Sequence, residues 1–255
     1  ILNHKNLIFF ESYQFNDYEH EFPNIKNVHI SVATYFRLFI QNYLPKKEKF
    51  FVFLDPDVIC INDPIREIEN TMKRLNDTNF TISAKTEHNF GVKNINVNNK
   101  YFNAGVMLID YEKWQLNNFH DKLIKKLEDL KNNIVQWDQD VLNSMLNGEY
   151  LELKEILNFK AATKSNKIFK SKVLMIHYMG SHKPWLTSGV FQRDSNYYHK
   201  NFRKVSQNSF HLEHKWRLRS VVDFLLALIT LRVFRINRPL IYIYEFIISI
   251  LKNKN

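Results

Sequence analysis

Residues 50–57 read FFVFLDPD, five consecutive apolar residues followed by two aspartates on either side of a proline. An apolar run without polar alternation is typical of a central strand that is covered on both faces. Buried-looking runs recur at residues 102–109 and 173–178, and helical patterns separate them. Strands that alternate with helices predict an α/β fold with a mostly parallel sheet flanked by helices. In such folds, ligands bind beyond the carboxyl ends of the strands.

Composition limits the class of protein. The chain has 255 residues, of which 45% are apolar, so it can bury a core and is not a disordered protein. Its formal net charge of +10 indicates anionic partners, which include nucleic acids, acidic membrane surfaces and phosphorylated small molecules. The single cysteine, Cys60, excludes an internal disulfide and favours a reducing, cytoplasmic compartment.

Asp55 and Asp57 follow the first apolar run directly, where an α/β fold places ligands. Mg²⁺ and Mn²⁺ are commonly held by one or two carboxylates together with phosphate oxygens of a substrate. Pro56 between the aspartates fixes φ and stiffens the turn. The pattern is consistent with a divalent-cation site that also binds a diphosphate. An isolated D-x-D pair, however, is more often a solvated turn.

Residues 177–185 read HYMGSHKPW and leave the late strand. His177 can supply a nitrogen ligand, which favours Mn²⁺ over Mg²⁺. Gly180 lets the backbone approach a phosphate, and Lys183 can neutralise the charge that grows on a departing diphosphate. Taken alone, the segment is more often a structural histidine and a surface lysine.

Two further segments combine amides and acids with apolar residues. WDQDVLN at residues 137–143 places two acids and an amide before a helix, where they could also serve as helix caps. YFNAGV at residues 101–106 places Asn103 in an apolar strand, where its amide needs hydrogen-bond partners. The hydroxyls of a sugar would provide them.

These segments, together with SVATYFRL at residues 31–38, resemble the successive signatures of glycosyltransferase family 8. That family includes bacterial lipopolysaccharide galactosyl- and glucosyltransferases. The resemblance extends from about Ile8 to Trp185. It implies a GT-A type, Rossmann-like α/β domain over residues 1–206, without the family's first strand–helix unit. A basic, aliphatic helical C-terminal tail over residues 207–255 follows.

The resemblance also implies an activity, a retaining transfer of galactose or glucose from a UDP-hexose donor to a glycan or glycolipid of the lipopolysaccharide or lipooligosaccharide type. It assigns Asp55, Asp57 and His177 to Mn²⁺, with Mg²⁺ as the alternative. It assigns Arg37, Asn103 and Asp138 to the donor sugar, and Gly180 and Lys183 to the diphosphate. Gln139 matches the position beneath the anomeric centre. The resemblance thus gives Gln139, Asp138 and Lys183 as the catalytic residues. Because an amide is a poor nucleophile, we expect a front-face, oxocarbenium-like reaction.

The tail is basic and aliphatic. Between His211 and Asn255 there are eight Lys or Arg residues against three acids. Its apolar runs at residues 221–231 and 240–251 are shorter than the about 20 residues that a membrane span needs. The pattern predicts helices that lie in the interface of an anionic membrane, or a pair of helices packed on the domain. The first alternative places the protein at the inner face of a bacterial cytoplasmic membrane.

Two other functions remain as alternatives. An inactive member of the family would keep the fold and the membrane contact but lack the nucleotide pocket. A nucleic-acid-binding protein would use the basic charge, but no helix-turn-helix, zinc site or RNA-binding signature accompanies that charge. We therefore expect no nucleic-acid partner.

Overall fold

A computed structural model describes residue 22 and residues 32–87, 100–130, 133–161 and 167–252. The strands are Phe50–Leu54 (β1), Val58–Cys60 (β2), Ile82–Thr86 (β3), Phe102–Asp110 (β4), Leu151–Glu152 (β5), Phe159–Lys160 (β6) and Met175–His177 (β7). The α-helices are Ile65–Asn76 (α1), Tyr111–Leu116 (α2), Phe119–Leu130 (α3), Trp137–Leu146 (α4), Lys167–Lys172 (α5), Thr187–Val190 (α6), Ser195–Phe202 (α7), Arg217–Ile229 (α8) and Pro239–Lys252 (α9). The 3₁₀ helices are Val32–Asn42, Glu155–Leu157 and Arg232–Arg235.

The chain forms two compact units, which we name after their central strands. The β4 unit runs up to Asp55 and resumes over Pro64–Asn158. The β7 unit contains Pro56–Asp63 and the chain from Phe159 onward.

The sheet of the β4 unit has the strand order β1-β4-β3-β5. Strand β4 pairs antiparallel with β1 and with β3, and β5 joins β3 in parallel. Nearly every residue of β4 is buried, which explains why its sequence is apolar without alternation. The α/β class is confirmed. The described pairings are more mixed than the mostly parallel sheet that the sequence predicts, because β4 runs opposite to both of its neighbours.

The first 3₁₀ helix and helices α3 and α4 cover this sheet. Tyr35, Leu38 and Phe39 of the 3₁₀ helix are buried at the three- and four-residue spacing that the sequence shows. They belong to one apolar cluster with Leu123 of α3 and Val141 of α4. This cluster holds the elements that carry Arg37 and Asp138.

The helical pattern after β4 is interrupted at residues 117 and 118, which separates α2 from α3. Asn118 has φ +50°, in the left-handed region that Asn tolerates better than most residues. On α2, Lys113 donates to the carbonyls of Leu75 and Thr78 at 2.8 and 2.6 Å. Lys113 therefore caps the carboxyl end of α1.

The sheet of the β7 unit has the order β2-β7-β6, with β7 antiparallel to β2 and parallel to β6. The helices that follow form a second apolar cluster, which includes Val190, Phe210, Phe224, Tyr242 and Phe246. Residues 207–252 thus share a core with residues from the 159–206 segment. The division that the sequence predicts at residue 206 stays a prediction.

Glu245 is an acid within one of the tail's apolar runs, and it has a structural role. Its carboxylate accepts hydrogen bonds from the backbone N–H groups of Ser209 and Phe210, each at 2.8 Å. Helix α9 is thereby fastened to the segment before α8. Among the helices of the described ranges, none combines the length and the apolar content that crossing a bilayer requires.

Candidate functional site

Arg37 is the centre of the site in the β4 unit. Its Nη1 donates to the carbonyl of Ala104 at 2.6 Å and its Nη2 donates to Asp55 Oδ1 at 2.8 Å. Its Nε lies 2.7 Å from Asp138 Oδ2, and its guanidinium lies 4.3 Å above the centre of the Phe53 ring. The side chain is 9% exposed. One nearly buried cation therefore holds a carboxylate at the end of β1 and another at the start of α4.

Asp138 is buried beside Arg37 at the start of α4. Its side chain is 4% exposed, and Nε–H of Arg37 is directed at the Thr34 carbonyl at 3.2 Å. The contact between Arg37 and Asp138 is thus an ion pair without an aligned hydrogen bond. The side chain of Thr34 also interacts with the Asp138 carboxylate and lowers its pKa.

The charge state of Asp138 reflects this environment. Burial raises the pKa of Asp138 to about 6; Arg37 opposes the rise and Asp55 adds to it. The carboxylate is consequently only moderately acidic, and it carries its full negative charge above neutral pH.

A small cavity of about 90 Å³ is bordered by these groups. Its lining consists of Thr34, Arg37, Asp55, Ala104, Gly105 and residues 136–139. A ligand rich in hydroxyl groups would donate hydrogen bonds to the carboxylates that line the cavity. The chemistry of the cavity therefore fits a sugar.

Two amide side chains join α4 to β4 beside the cavity. Gln139 Oε1 accepts hydrogen bonds from Ala104 N at 3.0 Å and from Asn103 Nδ2 at 3.4 Å. Asn103 Oδ1 accepts from Gly105 N at 3.0 Å and from Asn158 Nδ2 at 3.1 Å. Gln139 lines the cavity, whereas Asn103 lies behind it with both ends of its amide engaged by protein groups.

Asp140 holds the segment that precedes α4, a role the sequence suggests only as helix capping. The side chain is fully buried, and its Oδ2 accepts from the backbone N–H groups of Val135 and Gln136, both at 2.7 Å. Its Oδ1 accepts from the Tyr101 hydroxyl at 2.7 Å. The tyrosine partner could not be inferred from local sequence.

Trp137 and Asn143 constrain the backbone on both sides of Asp138 and Gln139. Trp137 has φ +47°, a left-handed conformation that is an outlier for a bulky residue. Asn143 donates to the Phe102 carbonyl at 2.9 Å and accepts from the Phe102 N–H at 2.8 Å. The start of α4 is therefore held rigidly against β4.

In the β7 unit, Asp57 is the central acid. Its Oδ1 lies 3.2 Å from His177 Nε2, and its Oδ2 contacts Lys183 Nζ, which also donates to the Tyr178 carbonyl at 2.9 Å. Burial raises the pKa of Asp57, but His177 and Lys183 outweigh that effect and lower it to about 2. Asp57 is therefore ionised at all physiological pH values.

Asp55, Asp57 and His177 form a candidate metal site. Pro56 alone separates the two aspartates, so the chain itself keeps them close. Each of the three side chains offers one ligand atom, and these atoms all lie within 4.8 Å of one another. Two carboxylates and an imidazole are a donor set that suits Mn²⁺ and other divalent transition metals. The residues therefore fit the predicted ion.

Gly180 follows this group in the chain and has φ +83°. A Cβ at this position would meet nothing within 4 Å. The backbone conformation, rather than a shortage of space, therefore favours glycine here.

The structure thus groups the predicted residues as follows. It brings the three predicted metal ligands together and places Lys183 on one of them. It places Arg37, Asp138 and Gln139 around one cavity, with Asn103 directly behind. The contacts of each residue with donor or diphosphate stay predictions.

Comparison with known proteins identifies the family. The sequence profile of glycosyl transferase family 8 matches residues 2–189. General stress protein A of Bacillus subtilis is 26% identical over 204 residues, which are 72% of this chain and 68% of that protein. The lipopolysaccharide 1,3-galactosyltransferase of Salmonella typhimurium is 28% identical, over 66% of this chain and 53% of that protein. The match to the galactosyltransferase therefore spans about half of its length.

Solved structures agree on the fold. The galactosyltransferase LgtC, determined in complex with donor and acceptor sugar analogs, superposes with a TM-score of 0.55 at 24% identity. The superposition covers 72% of this chain and 69% of that chain. The predicted GT-A type α/β fold is thereby confirmed.

Proposed function

We propose, because this chain belongs to glycosyl transferase family 8, that it transfers galactose or glucose from a UDP-hexose to a lipopolysaccharide- or lipooligosaccharide-type glycan with retention of configuration. The observation that carries this proposal is the cavity lined by Asp55, Asp138 and Gln139. Its carboxylates can accept hydrogen bonds from the hydroxyls of a sugar. The activities named for the lipopolysaccharide relatives support the choice of a hexose and of this acceptor class.

In this proposal Arg37 contributes to donor binding partly by holding other side chains of the site in place. Three of its five N–H groups donate to Thr34, Ala104 and Asp55. Its ion pair with Asp138 also holds that carboxylate beside the cavity. Asp138 then accepts hydrogen bonds from donor-sugar hydroxyls. Asn103 supports this pocket from behind through Gln139.

Asp55, Asp57 and His177 would hold the metal ion, for which we propose Mn²⁺ because an imidazole ligand favours it over Mg²⁺. When bound, the ion would neutralise the negative charge of the donor's diphosphate. The low pKa of Asp57 keeps that ligand ionised and ready to bind a cation.

The reaction breaks the bond between the anomeric carbon and the diphosphate oxygen, and UDP leaves with the electron pair. Lys183 stabilises the charge on the leaving diphosphate, and Gly180 lets the backbone approach it. Gln139 carries no charge, and its Oε1 is already engaged by β4, so it is unsuited to covalent attack. The acceptor hydroxyl oxygen therefore forms the new bond on the face that UDP leaves, which preserves configuration. Its proton passes to the diphosphate oxygen that departs with the electron pair.

The tail supports a membrane location. Of 19 large apolar side chains exposed in the described residues, 13 lie between Trp216 and Leu251. Eleven of these 13 lie on α8, α9 and the intervening 3₁₀ helix, together with exposed basic residues such as Arg219 and Arg235. Apolar side chains interspersed with cations suit the interface of an anionic bilayer. We place the protein peripherally at the inner face of the bacterial cytoplasmic membrane.

UDP release from a panel of nucleotide sugars, with Mn²⁺ and with EDTA, tests the activity. We expect release from UDP-galactose or UDP-glucose that requires Mn²⁺ and that Asp138→Asn lowers by at least tenfold, the loss of about 1.4 kcal/mol of interaction. Asp129→Asn, an exposed acid on α3, is the matched control and should behave as the wild type. Release that favours a GDP- or CMP-sugar would refute the donor assignment. No release from any sugar would favour the inactive alternative.

Vesicle flotation tests the membrane proposal without deleting the tail, whose helices contribute to a core. Leu218→Glu and Ile229→Glu alter side chains that are 81% and 78% exposed. Leu116→Glu, at a side chain 76% exposed in the β4 unit, is the control. We expect the two tail variants, but not the control, to float less with phosphatidylglycerol vesicles. Equal flotation of all forms would contradict the proposal.

A further inference from the structure

The loop that carries Lys183 is held by three consecutive backbone carbonyls. The carbonyl of Lys183 accepts from Leu186 N at 3.0 Å, and that of Pro184 accepts from His199 Nε2 at 2.9 Å. The carbonyl of Trp185 accepts from Glu213 N at 2.9 Å. Donors from three different parts of the β7 unit thus define the path of residues 183–185.

Gly189 on α6 lies directly against the same loop. A Cβ on Gly189 would lie 1.9 Å from the carbonyl oxygen of Lys183, 2.5 Å from its carbonyl carbon and 2.7 Å from the His182 oxygen. All three atoms belong to the backbone, so they cannot rotate away as the end of a side chain would. A residue larger than glycine therefore requires the whole loop to move.

His199 on α7 is buried, with 1% of its surface exposed. Burial lowers the pKa of His199 to about 4, so the ring is neutral at physiological pH. A neutral ring that donates to the Pro184 carbonyl must carry its proton on Nε2. Nδ1 has no hydrogen-bond partner among the described residues, and a buried unpaired nitrogen lowers stability. The hydrogen bond to the Pro184 carbonyl is what distinguishes this histidine from an apolar residue of similar size.

These contacts fix the backbone position of Lys183. From there its Nζ reaches the Tyr178 carbonyl and the Asp57 carboxylate. We propose that Gly189 and His199 are positioning residues for Lys183, which fix its backbone so that Nζ meets the donor's diphosphate. The proposal rests on the function proposed for Lys183. Neither Gly189 nor His199 touches the substrate in this account.

The primary test is Gly189→Ala. Ordinary van der Waals contact begins at 3.4 Å, so the Lys183 carbonyl must retreat by about 1.5 Å from a Cβ placed at 1.9 Å. A displacement of this size costs about 10²-fold in rate when it affects a reacting group. We expect UDP release to slow by about that factor and Mn²⁺-dependent UDP affinity in calorimetry to fall by about tenfold or more. Ser188→Ala, at the adjacent position, is the control and should change neither.

His199 provides an independent second variant in case Gly189→Ala does not fold. His199→Leu removes the donor to Pro184, whereas His199→Gln retains an N–H group that can reach it. We expect UDP affinity to fall in His199→Leu and to recover at least in part in His199→Gln. Equal UDP affinity in these two variants and the wild type would overturn the proposal.

A double-mutant cycle separates positioning from general damage to the fold. In a Lys183→Met background, Gly189→Ala should have little further effect on UDP affinity or release, because the group that it positions is gone. A loss as large as in the wild-type background would show that Gly189 acts elsewhere and overturn the inference. If Lys183→Met by itself changes neither quantity, the proposed role of Lys183 has failed, and the inference fails with it.

Discussion

Replacement of Arg37 by methionine should destabilise the protein in a manner that depends on pH. Methionine keeps most of the length and the apolar contact with Phe53 but removes the charge that faces Asp55 and Asp138. Removing one partner of a buried ion pair costs about 3–5 kcal/mol, because the remaining charge stays buried without compensation. With Asp138 4% exposed and Asp55 24% exposed, we expect about 3 kcal/mol at pH 8.

The pH dependence follows from the pKa of Asp138. An aspartate in an unfolded chain has a pKa of about 3.9, and the folded value is raised to about 6. A raised carboxyl pKa stabilises the folded state at low pH, and that stability is lost as the pH rises through the folded pKa. Arg37 lowers the pKa of Asp138, so its removal moves the folded pKa higher still. The variant should therefore differ less from the wild type at pH 5 than at pH 8.

Urea unfolding followed by circular dichroism at both pH values measures this difference. Arg66→Met, at an exposed arginine on α1, is the matched control and should change the free energy of unfolding by less than about 0.5 kcal/mol. Arg37→Met/Asp138→Asn should recover about 2 kcal/mol, because the unpaired charge is gone, without recovering UDP release. An equal loss at pH 5 and pH 8, or no recovery in the double variant, would show that Arg37 does not stabilise the fold through the Asp138 charge.

Three further substitutions test which local contacts and backbone conformations determine the stability of the fold. Lys113→Met should lower the free energy of unfolding by about 2 kcal/mol, because it removes charge-assisted hydrogen bonds to the end of α1; a thermal melt no lower than that of Lys125→Met would contradict this. Glu245→Leu should cost about 2–3 kcal/mol by leaving the N–H groups of residues 209 and 210 unpaired, and unchanged hydrogen exchange at these two amides would rule it out. Leu231→Gly should stabilise the protein by about 1 kcal/mol, since Leu231 has φ +56°; a lower melting temperature would be the opposite result.

Some residues of the site could be predicted because a metal-binding side chain directly follows an apolar strand in the sequence. Asp55 and Asp57 follow an apolar run, and the rule that ligands lie beyond strand ends makes them candidate metal ligands. The resemblance to family 8 favours this interpretation over a solvated turn. His177 likewise stands at the end of a predicted strand. In each case one short segment contains both the strand and the chemical group, so no knowledge of tertiary contacts was needed.

Other features depend on partners that are distant in sequence. Asp140 bonds Tyr101, 39 residues away, and Asn158 bonds Asn103, 55 residues away. Glu245 lies in an apolar run of the tail, and its hydrogen-bond partners lie 35 and 36 residues earlier in the chain. The antiparallel pairing of β4 with β1 and β3 was also not predicted, because an apolar run is compatible with either strand orientation. The separation of α2 from α3 depended on a left-handed Asn118, which periodicity alone does not reveal.

The proposed function requires this chain to bind a uridine diphosphate through a metal held by Asp55, Asp57 and His177. Calorimetry of UDP with the full chain tests it most directly, with Mn²⁺, with EDTA, and with Asp57→Asn compared against Asp121→Asn, an exposed acid on α3. We predict binding to the wild type and to Asp121→Asn with Mn²⁺, and at least tenfold weaker binding with EDTA or in Asp57→Asn. Equal UDP affinity under all four conditions, or no binding under any of them, would contradict the account.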